Sequence, residues 1–137
     1  MKIGLRLHII IHPRFDTMRI LIFEDTYDIM ELVKNTGINL EGIEIKQFWD
    51  TENSTARIKK FSPDILLLDY YIEPISGLQV IKKLNIALEN NQIVRPKKII
   101  GISSSSSANS RFVQAGADDS IIKFELANLD LWNRDNV

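Results

Sequence analysis

The sequence has no cysteine, which excludes disulfides, thiolate catalysis and Cys-ligated zinc and makes a reducing, cytoplasmic setting the expectation. It has no surplus of either charge. Lys and Arg number 17 against 18 Asp and Glu, for a net charge of −1. Bulk charge therefore recruits neither nucleic acid nor an anionic membrane. No apolar run approaches the roughly 18 residues that span a bilayer. The opening MKIGLRLHIIIHPRF has a basic start and a short apolar patch. His8, His12 and Pro13 break the pattern and no small-residue cleavage site follows, so it does not read as a signal peptide. His8 and His12 stand four apart, but their apolar, Pro-ended setting does not suggest a metal pair. Residues 1–17 are expected to be a mobile or loosely docked extension ahead of one domain, residues 18–137. That domain has material for a core: 45% of the 137 residues are hydrophobic, enough for one ordinary domain and too little chain for two.

Apolar runs alternate with helical patterns. Arg19 to Phe23 reads as a buried strand. Asp25 and Thr26 offer caps for a helix carrying Ile29, Met30, Leu32 and Val33 up to Gly37. Ile43 to Trp49 alternates like a strand with one wetter side, and Glu52 to Phe61 reads as a short helix ended by Ser62-Pro63. Asp64 to Asp69 is the most apolar strand and the expected centre of a sheet. A helix opens at Ile75 or Ser76, with Leu78, Val80, Ile81, Leu84 and Leu88 on its apolar face. Lys98 to Ser103 is a fourth strand, Ser104 to Gln114 a weak helix, Ser120 to Lys123 a fifth strand, and Glu125 to Trp132 a last short helix. Strands alternating with helices imply a parallel sheet with right-handed crossovers and helices on both faces. Such sheets bind ligands at the carboxyl ends of their strands. Trp49 and Trp132 are read as packing residues.

The polar residues at those ends are Glu24 and Asp25, then Asp69, Ser103 and Lys123. Crowded carboxylates raise one another's pKa. A hard divalent cation relieves the repulsion, and Mg²⁺ prefers oxygen ligands. A metal, an ammonium and a hydroxyl around one carboxylate suit phosphoryl transfer, in which the carboxylate attacks. Each residue also has a plainer reading. Glu24 and Asp25 could cap a helix through its dipole, Asp69 could serve a turn, and Lys123 and Ser103 could be solvated strand-end and loop residues.

Taken together in this order, Glu24-Asp25, Asp69, Ser103 and Lys123 resemble the receiver domain of two-component response regulators. Gly77, eight residues after Asp69, and Gly116-Ala117-Asp118 ahead of the fifth strand agree with that family. The resemblance covers roughly residues 18–133. It implies a flavodoxin-like, doubly wound α/β fold with strand order 2-1-3-4-5. It also implies Asp69 as phosphoacceptor from a histidine kinase or phosphotransfer protein, and Mg²⁺ held by Glu24, Asp25, Asp69 and the backbone carbonyl of Tyr71. Ser103 would bind a phosphoryl oxygen and Lys123 would pair with the acyl phosphate, while the small Ser104 leaves phosphate room to enter. No separate enzymatic activity is implied beyond Mg²⁺-dependent self-phosphorylation from a phosphodonor and self-dephosphorylation. The effect would pass through an output protein still to be named, with no nucleic acid bound by this domain and no membrane.

Three departures fall on the output side. Phe124 stands where the family usually has proline, and Glu73 where it has another, with Pro74 following. Ser120 replaces the switch aromatic three residues before the lysine. The segment between Ser103 and Gly116 also predicts a small fourth helix. Two other readings compete. One is a degenerate receiver used as an interaction module. The other is a phosphohydrolase with Asp69 as nucleophile, which Tyr71 disfavours because such enzymes carry a second Asp there.

Overall fold

A computed structural model describes residues 17–132. His8, His12 and nearly all of the expected N-terminal extension lie outside the described residues. Five strands are β1 (Met18–Phe23), β2 (Ile43–Phe48), β3 (Ile65–Asp69), β4 (Lys98–Ser103) and β5 (Asp119–Ile122). The α-helices are α1 (Ile29–Lys34), α2 (Ser54–Phe61), α3 (Gly77–Glu89) and α4 (Ser106–Ala115), and two 3₁₀ segments, Lys123–Asn128 and Asp130–Trp132, close the described chain. All strand pairs are parallel and the sheet order is β2-β1-β3-β4-β5. This is the doubly wound order that the resemblance implied.

The twofold alternation of strand side chains sorts the apolar residues into two cores. Leu21, Phe23, Leu66 and Leu68 face one side and meet Ile58 of α2, Val80, Ile81 and Leu84 of α3, and Phe112 of α4. Ile20, Ile22, Ile65 and Leu67 face the other and meet Ile29 and Val33 of α1, Leu126 and Trp132. A strand covered on both faces must be apolar throughout, and every residue of β3 is buried. β2 lies at the sheet edge and keeps the expected half-wet alternation.

The local differences from expectation have physical causes. Asp28, not Asp25 or Thr26, caps α1, its side chain accepting from Glu31 N at 3.2 Å. The helix starts later because Glu24 has taken the preceding amides, as described below. Helix α4 is not small. It runs for 10 residues, capped by Ser105 at one end and by Gly116 at φ 116 at the other. The segment after β5 is 3₁₀ rather than α-helical, and Lys123 is its first residue rather than the last of the strand. Trp132 packs as expected, with Nε1 donating to Leu126 O at 2.9 Å. Trp49, by contrast, is 49% exposed, because it lies beyond the end of the edge strand, where no helix covers it. Ser76 opens α3 with a full capping box to Gln79.

Candidate functional site

Sheet register assembles the site. Phe23 of β1 pairs with Leu68 of β3, so the next residues, Glu24 and Asp69, emerge side by side. Asp69 pairs with Ile102 of β4, and Ser103 pairs with Ile122 of β5, so Ser103 and Lys123 follow along the same rim. The four residues are buried: Glu24 and Ser103 are 0% exposed, Asp69 2% and Lys123 8%. Asp25 is exposed.

Glu24 is the anchor. Its Oε2 accepts from Thr26 N and Tyr27 N, both at 2.7 Å. Its Oε1 meets Lys123 Nζ at 2.8 Å as an ion pair and otherwise has no hydrogen-bond partner. Gln47 braces the same loop, with Nε2 donating to Glu24 O at 2.9 Å and Tyr27 O at 2.8 Å, and Oε1 accepting from Ile29 N. Lys123 Nζ also lies 3.5 Å from Asp69 Oδ2. One ammonium therefore serves two buried carboxylates. Carboxylate oxygens of Glu24, Asp25 and Asp69 all lie within 4.8 Å of one another.

The titration behaviour follows from this crowding. Burial pushes the Asp69 carboxyl up and the Glu24 charge pushes it further; Lys123 offsets part of this, and the pKa stands at about 7 against an ordinary 3.8. Burial also opposes the Glu24 carboxylate, but Lys123 and the amides of Tyr27 and Thr26 outweigh it and hold Glu24 below its ordinary value. Lys123 is disfavoured by burial too, yet its two carboxylate partners hold its pKa above the ordinary one. The cluster thus keeps an excess of negative charge that a single ammonium does not cancel. Three convergent carboxylates sharing one ammonium form a donor set that fits a hard divalent cation.

The sequence-predicted residues Glu24, Asp25, Asp69 and Lys123 come together. Ser103 stands at the adjoining strand end, where its Oγ accepts from Ser105 N at 3.1 Å. Tyr71 follows Asp69 by two residues, and its ring packs edge-on to Tyr70 at 4.8 Å. The Gly116-Ala117-Asp118 segment holds the start of β5, since Asp118 accepts from Ile99 N and Arg95 Nη2. Ser120 lines a cleft of about 630 Å³ between α4, β5 and the 3₁₀ segment, space that a larger residue there could occupy. Phe124 is 61% exposed and lies edge-on to Tyr27 at 5.4 Å.

Sequence reasoning missed the aromatic packing behind Asp69. The fully buried Phe112 ring meets Tyr70 edge-on at 5.5 Å, and Arg111 Nη1 reaches the Tyr70 hydroxyl at 3.1 Å. Gly101 and Gly77 leave room for that ring, because a Cβ at either position would strike it, and at Gly77 would also strike the Asp69 carbonyl. The signal was available, since an isolated glycine inside a strand such as Lys98–Ser103 marks a close approach.

The family model for the response regulator receiver domain matches residues 20–130. The chain belongs to the response regulator receiver domain family. One curated relative of this receiver is the transcriptional regulatory protein TrcR of Mycobacterium tuberculosis, 25% identical over 113 residues, covering 82% of this chain and 42% of the relative. The receiver therefore spans less than half the length of that protein. The solved CheY-like receiver domain protein of Methanospirillum hungatei matches at TM-score 0.63 with 22% identity, covering 88% of this chain and 91% of that one. The receiver domain of the histidine kinase CKI1 of Arabidopsis thaliana, solved with Mg²⁺ and BeF₃⁻, matches at TM-score 0.64 with 18% identity, covering 90% and 91%. At these identities the structural likeness speaks for the fold alone. Together with the family match it makes this a two-component receiver domain of flavodoxin-like fold. Among the described residues no helix is long and apolar enough to cross a membrane.

Proposed function

We propose that this receiver accepts a phosphoryl group on Asp69 from a histidine kinase or phosphotransfer protein in the cytoplasm. An ionised Asp69 oxygen attacks the phosphorus of a phosphohistidine. The new P–O bond forms as the P–N bond breaks, and the imidazole nitrogen leaves with the bond's electron pair. Lys123, 3.5 Å from Asp69 Oδ2, stays beside the acyl phosphate and balances its charge. In this reading the Ser103 hydroxyl donates to a phosphoryl oxygen. Glu24, Asp25, Asp69 and the Tyr71 carbonyl would hold Mg²⁺, which when bound supplies positive charge to the phosphoryl oxygens and to the attacking carboxylate. Water later attacks the same phosphorus and returns Asp69 to the free carboxylate. The output passes through contacts with a protein partner.

The observation that carries this reading is the shared ammonium: one buried lysine between two buried carboxylates, within a cluster of three whose oxygens lie inside 4.8 Å. Capping alone requires no such arrangement, and the cap of α1 is supplied by Asp28. The test is incubation with acetyl phosphate and Mg²⁺ followed by intact mass. The wild type is expected to gain one phosphoryl group and Asp69→Ala none. Equal gain by both proteins, or gain by neither, refutes the assignment.

A further inference from the structure

The cleft of about 630 Å³ between α4, β5 and the 3₁₀ segment Lys123–Asn128 takes no part in the chemistry above. Val113, Ile121 and Ile122 give it apolar walls. Asn109 of α4 lines it too and is only 8% exposed. The Asn109 Oδ1 is buried and has no hydrogen-bond partner among the described residues. Buried carbonyl oxygens are normally paired. Among the described residues one other buried side-chain atom lacks a hydrogen bond, Glu24 Oε1, and it has the Lys123 ammonium at 2.8 Å. Asn109 Oδ1 has no such substitute.

Charge gives a second, independent observation. Glu125 puts one exposed carboxylate on the lining, and no hydrogen bond or ion pair engages it among the described residues. No lysine, arginine or histidine lines the cleft. The neighbouring cations are committed elsewhere, Lys123 to Glu24 and Asp69, and Arg111 to the Tyr70 hydroxyl. The cleft therefore offers a buried acceptor and a free negative charge, with no donor or cation of its own to answer them.

We propose that this cleft binds a guanidinium group, carried by a small molecule or by the arginine side chain of a polypeptide. Guanidinium is planar and directs N–H donors several ways, so one group serves a buried carbonyl and a carboxylate together. It is more weakly hydrated than an ammonium and tolerates apolar walls better. An anion would meet Glu125 and find no counter-charge. The lining shares no residue with the Glu24, Asp25 and Asp69 cluster, so the site stands whether or not Asp69 is phosphorylated. An occupant touches α4 and β5 together and fills the space that Ser120 leaves between them.

The test is an amide-resonance titration of the full chain in EDTA without Mg²⁺, with sodium chloride keeping ionic strength constant. One arm uses butylguanidinium, a second uses the blocked peptide acetyl-Gly-Arg-Gly-amide, and butylammonium is the control. Wild type, Asp69→Ala, Asn109→Leu, Glu125→Gln and the cleft-filling Ser120→Phe are compared. Saturable shifts across α4 and β5 are expected with the guanidinium ligands in wild type and Asp69→Ala. Affinity is expected to fall about tenfold in Asn109→Leu and in Glu125→Gln, and binding is expected to be lost in Ser120→Phe. Tighter binding of the peptide identifies an arginine of a polypeptide as the occupant, and binding of butylguanidinium that equals or exceeds it identifies a small molecule; either supports the site. Four results overturn it: no saturable shift with either guanidinium ligand, equal affinity for butylammonium, shifts abolished by Asp69→Ala, or an affinity that none of the three cleft variants changes.

Discussion

Replacing Asp69 by asparagine is expected to stabilise the metal-free protein above pH 7 and to leave it nearly unchanged at low pH. The folded-state pKa of Asp69 is raised from 3.8 to about 7, chiefly by burial and then by the Glu24 charge. Below pH 3.8 the carboxyl is protonated in both the folded and unfolded chain, so Asp and the isosteric Asn are nearly equivalent. Between 3.8 and 7 the unfolded chain is ionised while the folded one still holds its proton, so each step up in pH removes stability. Above 7 the whole deficit is present. At 1.36 kcal/mol per pH unit the displacement corresponds to about 4 kcal/mol as an upper bound. Relaxation around the coupled Glu24 and Lys123 leaves ~2 kcal/mol as the expected gain at pH 8. Urea unfolding in EDTA at pH 4, 6 and 8 measures it as a rise in midpoint at constant slope. Added Mg²⁺ is expected to return stability to the wild type, by about 2.7 kcal/mol at a hundred times its Kd, and less to Asp69→Asn. A variant that is less stable than wild type at pH 8 in EDTA, or a difference that does not change with pH, refutes the crowded-charge account.

Lys123→Ala removes the one ammonium between Glu24 and Asp69 and is expected to cost about 3–5 kcal/mol near pH 7, the range for breaking a buried pair; urea unfolding reads the loss, and adding Glu24→Gln is expected to recover much of it by removing the stranded charge. Tyr70→Leu is expected to detach the residue after Asp69 from Phe112 and Arg111. Amide shifts caused by Mg²⁺ with beryllium fluoride are then expected to shrink across residues 106–115 while persisting at residues 24–27; unchanged spread into that helix excludes the aromatic contact as the route.

The strands were legible in the sequence because a parallel sheet buried on both faces leaves long apolar runs, and β3 is the clearest of them. The four buried site residues were legible for the opposite reason: each interrupts a run at its carboxyl end, where a polar residue has no packing role. What the sequence hid was the use of side chains at a distance. Gln47 looks like one more residue of an alternating edge strand, yet its amide spans the loop after β1. Asp28 becomes the cap of α1 only because Glu24 engages the amides of Thr26 and Tyr27 first, a competition that spacing does not reveal. Trp49 was misjudged from residue type alone, since an aromatic beyond an edge strand has no layer to enter. The fourth helix was underrated because its serine-rich start has poor helix propensity, and the burial of Phe112 and Ala108 against the sheet overrides that deficit.

Ser120 and Phe112 belong to one structural argument. In a sheet of this order β5 is an edge strand, and α4 and the 3₁₀ segment pack against it. A large side chain at position 120 would fill the cleft between them and tie β5 to α4. Serine leaves that cleft open, while Phe112, lodged over Gly101 and Gly77 and against Tyr70, gives α4 a second hold. Glycine costs backbone entropy in both a strand and a helix start, and here that cost is met at two positions to admit one ring. Alongside its packing on β5 and β4, α4 is thereby attached directly to the residue adjoining Asp69. Any change in charge at Asp69 that moves Tyr70 meets α4 through direct aromatic contact, without passing along β5.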